Sequence, residues 1–172
     1  KSYQYRKKSG AITFNNSYSK ILYNNNSISF ETIEITQAHK LVSEAMILMG
    51  NVTSNYLMKN NIPAPFRSQK INCDSKNILE RYFNSPVKYI ILKQSIGKSL
   101  ISLKPDIHET LGLDSYVQVT SPLRRYLDLL VQRQIYLFIN NKKILSEEII
   151  NKEIELSKIK QKENNNIIKE NK

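Results

Sequence analysis

At Thr36 the apolar residues change period, and that change constrains the fold more than any other feature of the chain. Before it, short apolar runs (GAITF, KILY, ISFETIEI) alternate with Asn-rich stretches, the pattern of strands joined by turns over residues 1 to 35. After it, Ala38, Leu41, Val42, Ala45, Met46, Met49, Val52 and Tyr56 recur at the spacing of one helix face, with Thr36 as its N-cap. This predicts a long, largely buried helix that Pro63 and Pro65 end. Further on, the pattern predicts a short helix over Ser75 to Phe83, a strand at VKYIIL and a half-buried strand at Tyr116 to Val119. A second long helix is expected from Pro122 to about Asn140, with Leu123, Leu127, Leu130, Gln134 and Leu137 on one face. A charged amphipathic helix follows from Ser146 onward. The fold class is α+β, with N-terminal antiparallel strands leading into long helices and a strand–turn–helix passage.

That passage, DSYVQVTSPLRRYLD, holds the densest chemistry. Thr120 or Ser121 can accept the unpaired N–H groups of the following helix, and Pro122 suits its first position. Arg124 and Arg125 then fall in the first turn, where the helix dipole disfavours cations unless an anion docks there too. A phosphate resolves that conflict. The plainer alternative is a surface ion pair, since Arg124 and Arg125 stand four and three residues before Asp128. Lysine is the default cation of the chain, and yet Arg124, Arg125 and Arg133, three of its six arginines, lie together here. Arginine's planar fork suits bidentate contacts that lysine cannot copy.

A net charge of +11 in 172 residues is the footprint of a polyanion partner, although Lys and Asn runs such as KENNNIIKENK also fit a simple compositional bias. Cys73 is solitary, which excludes a disulfide framework within the chain and suits a reducing compartment. No apolar run approaches the roughly 20 residues of a membrane-spanning helix. Tyr116 and Tyr126 offer rings for base stacking, but with ten tyrosines the signal is weak, and Tyr126 fits better as a packed residue whose hydroxyl reaches the arginine turn. His39 reads as a surface residue of the first long helix.

Extended back to His108, the passage becomes HETLGLDSYVQVTSPLRRYLDLLVQRQ, which resembles the signature of the ribonuclease II (RNB) family of 3′→5′ exoribonucleases. LVSEAMILMGNVTSNYLMKNNIPAPFRSQ is similar to the helix and loop that precede it, above all in the bacterial and plastid-type branch, and RKKSGAITF resembles the family's GAI-type segment. Gln132 departs from the pattern, where a histidine often precedes the arginine. The resemblance implies hydrolysis of single-stranded RNA to 5′-nucleotides, processively and with Mg2+. The family's magnesium ligands form an aspartate-rich segment upstream of the GAI-type region. Asp74, Asp106, Asp114 and Asp128 are the only aspartates here and are scattered, so those ligands are expected outside this chain. Residues 1 to 172 thus read as the C-terminal half of an RNB catalytic domain, with 146 to 172 the start of a truncated helix. KSYQYRKK, which carries no initiator methionine, suits a segment of a longer protein. A split domain would leave apolar surface exposed where the other half packs.

By residue, the resemblance implies that Arg124 clamps the scissile or adjacent phosphate as the catalytic residue, with Arg125 in a more structural place. It implies that Glu44 bonds a ribose 2′-hydroxyl, that Arg67 shapes the substrate path and that His108 contacts phosphate or positions a loop. Asn51, Thr120, Ser121 and Tyr116 are weaker candidates for the RNA channel. The family's glutamate on the helix after the signature falls at Glu163 or Glu170. The expected partner is single-stranded RNA, the full-length protein a monomer, and the place cytoplasmic or organellar. Two alternatives remain: a non-catalytic single-stranded RNA-binding module, and a helical protein-interaction module that binds no RNA.

Overall fold

The structure, a computed structural model, describes residues 2–12, 18–24, 27–71 and 88–170. The chain opens with a short helix, α1 (Ser2–Lys8), where strands were expected. Gly10 (φ +86°) then turns the backbone, and the Ala11 N–H returns to the Arg6 carbonyl at 2.9 Å. Strands β1 (Tyr18–Asn24) and β2 (Ser27–Ile33) form the expected antiparallel hairpin, with Ile21 opposite Phe30 and Tyr23 opposite Ile28.

Helix α2 (Gln37–Lys59) begins where the period changes. Thr36 Oγ1 accepts from the His39 N–H at 3.4 Å, while His39 Nδ1 accepts from the Thr36 N–H at 3.3 Å, so His39 closes a reciprocal cap. The helix stops before the prolines. Asn60 and Asn61 end it, Asn61 at φ +51°, a conformation asparagine tolerates better than most residues. Of this helix only Gly50, Thr53, Ser54 and Leu57 are buried. The expectation of a largely buried helix is therefore corrected: Leu41, Val42, Met49 and Val52 of the apolar stripe are exposed among the described residues, because the rest of the fold covers a different face, that of Gly50, Thr53, Ser54 and Leu57.

A second two-stranded sheet pairs β3 (Phe66–Ser68) with β4 (Leu100–Ser102), antiparallel. Between them, the described part of the VKYIIL run, from Lys88 on, gives not a strand but a helix, α3 (Lys88–Ser95). The Ser95 hydroxyl donates to the Ile91 carbonyl at 2.9 Å, and pairing is taken over by Ile96, which bridges to Ile71. The expected helix over Ser75 to Phe83 lies outside the described residues. Tyr116 to Val119 is extended but makes no full strand, only a bridge from Val117 to Phe66. Its backbone groups find other partners: the Tyr116 carbonyl takes the Arg67 N–H, the Val117 N–H reaches the Gly50 carbonyl, and the Val119 carbonyl takes the Gln132 amide.

Helix α4 (Tyr126–Ile139) starts four residues later than expected, and α5 (Glu147–Glu170) follows after Ser146. The core has two parts. Leu57, Ile62, Ala64, Phe66, Val117, Val119 and Val131 join the end of α2 to β3, the extended segment and α4. Leu130, Ile150 and Ile154 lock α5 onto the other side of α4.

Candidate functional site

The late start of α4 reorganises the arginine turn. Residues 122 to 124 form a turn outside the helix, and Arg125, with extended backbone (φ −126°, ψ 108°), takes the N-cap position. The Ser121 carbonyl accepts the N–H groups of Arg124 at 3.3 Å and Arg125 at 3.0 Å. Thr120 and Ser121 therefore do not cap the helix with their side chains as expected. Their hydroxyls instead accept long bonds from Arg125 and Arg124, each at 3.4 Å.

Asp128 supplies the anion that the helix start requires. Its buried carboxylate accepts from the Ser121 N–H at 2.9 Å and from Arg125 Nε at 3.0 Å and Nη2 at 2.8 Å. Arg125 is thus an ion-paired clasp. Arg124 is exposed and makes no ion pair among the described residues, so of the two it is the one available to an outside anion.

Arg67 reaches the same place from β3. It lies beside Arg125 and lines with Arg124 and Arg125 a cavity of about 780 Å³. Burial first, then the repulsion of Arg125, lowers its pKa from the ordinary value, so an anion beside it would relieve an electrostatic cost. Ile101 of β4 and Gln118 of the extended segment complete this side, and α5 contributes polar side chains including Glu153. Glu153 is the glutamate of the last helix that meets the cavity, not Glu163, which does not line it; the side chain of Glu170 lies outside the described residues. Tyr126 also lines this cavity, and partial burial, then the Glu153 carboxylate of α5, raises its pKa.

Behind Arg67 stand Tyr116 and His108. Their rings meet edge to face with centroids 5.5 Å apart, and burial pushes the Tyr116 phenol up. His108 is buried, 6% exposed, with Nδ1 3.1 Å from the Thr110 hydroxyl, which donates to Gln69 at 2.7 Å. Burial, then the nearby Arg67, pulls its pKa down to about 4. His108 is held neutral, packs against Tyr116 and does not line the cavity. Asn51 likewise holds backbone, its amide donating to the Ser115 carbonyl at 3.1 Å.

Glu44 is not brought to the cavity. Its carboxylate takes the buried guanidinium of Arg6 and the Ser2 hydroxyl, tying α1 to α2, while Arg6 also donates to the Leu111 carbonyl at 2.9 Å. Arg6 went unnoticed in the sequence, since its partners lie 38 and 105 residues away. Asp106, Asp114 and Asp128 lie apart, and among the described residues no three His, Cys, Asp or Glu side chains come together as a metal ion needs. The described residues do not fit a magnesium site.

Comparison with known proteins places the fold in a family. A family model described as RNB domain matches residues 1–141. The chain belongs to the RNB domain family. A curated relative from Synechocystis, described as an uncharacterized ribonuclease, is 34% identical over 134 residues, which is 77% of this chain and 20% of that protein. The mitochondrial exoribonuclease II of Saccharomyces cerevisiae is 30% identical over 156 residues, 79% of this chain and 16% of that protein. Among solved structures, an exoribonuclease from Candida glabrata matches with a TM-score of 0.76 at 22% identity, over 93% of this chain and 23% of that one. RNase R from Mycoplasma genitalium, in complex with ribose-methylated single-stranded RNA, matches at 0.69 with 18% identity, over 96% of this chain and 33% of that one. The RNB fold is thereby shared, and the chain spans about a fifth or less of the length of these curated relatives.

Proposed function

We propose that this chain is the RNA-binding part of a hydrolytic, processive 3′→5′ exoribonuclease that releases 5′-nucleotides, and that its arginine-lined cavity grips the backbone of single-stranded RNA. The observation that carries this reading is the division of labour among three arginines around one cavity. Asp128 consumes Arg125, while Arg124 and Arg67 make no ion pair among the described residues. A partly buried guanidinium with a cationic neighbour gains from a phosphate in a way that a solvated lysine does not. Relatives described as ribonucleases and exoribonucleases support the reaction class.

Arg124 is the residue positioned to hold a phosphodiester and to stabilise charge developing on its nonbridging oxygens. Arg67 adds a second contact from the β3 side, and Asp128 keeps Arg125 from competing. The magnesium ligands belong outside this chain. The reading places residues 1 to 172 within a larger catalytic domain, in a reducing compartment that is cytoplasmic or organellar; among the described residues no helix is long and apolar enough to cross a membrane.

The test uses the full-length protein with RNA labelled at its 5′ end. Stepwise shortening from the 3′ end is expected, with Arg124→Ala lowering kcat by about 10² to 10³-fold. An unchanged kcat in that variant refutes the role of Arg124. Binding without release of mononucleotides, even in the full-length protein, would favour the non-catalytic module. The isolated 172-residue chain is expected to bind RNA and not to cleave it.

A further inference from the structure

The family model ends at residue 141, and α5 lies wholly beyond it, from Glu147. Even so, α5 lines the arginine cavity through Glu153, Leu156, Ser157, Lys160, Gln161 and Asn164. At about 100° per residue these six fall within one stripe roughly 140° wide, so a single face of the helix looks into the cavity. Its direction is fixed by packing. Ile150, one turn before Glu153 on the same face, and Ile154, about 20° outside the stripe, are 0% and 1% exposed and lock α5 against Leu130 of α4.

Lys160 is the cation of this face. It is exposed and makes no ion pair among the described residues, whereas its neighbour Lys158 is paired with Glu155 at 2.8 Å. Two carboxylates line the cavity: Asp128, which is paired with Arg125, and Glu153 of α5. Arg67, Arg124, Arg125 and Lys160 outnumber these carboxylates, so the cavity is net positive, with basic groups on two facing elements and amides, Gln161 and Asn164, beside the lysine.

Resting on the reading of this cavity as an RNA site, we infer that α5 is its second wall. Lys160 takes a backbone phosphate neighbouring the one held by Arg124, and the amides of Gln161 and Asn164 hydrogen-bond to the nucleotide between them. An ammonium suits a phosphate as a point charge, and an amide supplies both a donor and an acceptor for a sugar or base edge.

Binding of a fluorescent 12-nucleotide oligouridylate to the full chain, followed by anisotropy across a KCl series, tests this. Removing one single-strand phosphate contact flattens the salt slope by about 0.7 and so weakens binding about fivefold at 0.1 M salt. Lys160→Gln is expected to show both effects and Lys160→Arg neither. Lys162→Gln, about 200° around the same helix, should match the unsubstituted chain. If Lys160→Gln behaves like Lys162→Gln while Arg124→Ala weakens binding, the α5 wall is overturned and the arginine site stands. If Arg124→Ala also changes nothing, or the unsubstituted chain binds no RNA in a salt-dependent way, both fall together. Circular dichroism of each variant confirms that these surface substitutions leave the helices intact.

Discussion

Asp128 is 1% exposed, and Arg125 and the Ser121 N–H donate to its side-chain oxygens. Breaking such a pair from the buried side leaves a guanidinium and an N–H without their acceptor. Asp128→Ala should therefore cost about 3 kcal/mol in urea unfolding, and Asp128→Asn less. A loss below about 0.5 kcal/mol would show that water replaces the carboxylate. The i, i+3 spacing of Arg125 and Asp128 was legible in the sequence; the burial of the pair was not, since it depends on how the turn folds back. His108 gives a pH prediction. Its pKa falls from 6.5 in the unfolded chain to about 4 in the folded one, so the unfolded state binds more protons between those values. Stability is complete above pH 6.5 and declines as pH falls toward 4, by roughly 3 kcal/mol over that window. Thermal unfolding should show that decline in the natural chain and much less of it in His108→Gln.

At the scale of elements, α2 and the extended segment after Ser115 meet at Gly50. A Cβ there would stand 2.3 Å from Tyr116 Cε2 and 2.5 Å from the Val117 carbonyl oxygen. Alanine raises helix propensity by about 1 kcal/mol, but backbone at that distance has to move. Gly50→Ala should thus lower the melting temperature despite the better helix former, and disturb Arg67 through its bond to the Tyr116 carbonyl; a higher melting temperature would contradict the close approach. Helix ends were partly legible. Asn60 and Asn140 each return a side-chain amide to the carbonyl four residues back, at 2.8 Å, and Asn61 and Asn141 each follow at positive φ. Asn-Asn pairs that read as compositional bias are stop signals here. The strand expected at VKYIIL failed for the opposite reason: a β-rich composition lost to a context in which Ile96, not the run itself, meets Ile71.

On the scale of the whole molecule, two apolar surfaces face outward among the described residues: Ile21, Tyr23, Ile28 and Phe30 on the hairpin, and Leu41, Val42, Met49 and Val52 on α2. On the partial-domain proposal they meet the remainder of the catalytic domain. The purified chain should therefore self-associate as its concentration rises. Replacing Val42 and Met49 by Ser should reduce that association in sedimentation velocity and change unfolding stability by no more than about 0.5 kcal/mol. A chain that stays monomeric throughout would count against this. The sequence by itself determined the α+β class, the hairpin, the three long helices and the family, because periodicity, caps and a dense local signature are written in neighbouring residues. It also singled out Arg124. Only the tertiary structure decided that Arg125 belongs to Asp128 and Glu44 to Arg6, that Arg67 stands beside Arg124, and that α5 faces them. Those pairings join residues far apart in the chain, and burial, which sets the strength of each charge, exists only once the chain has closed on itself.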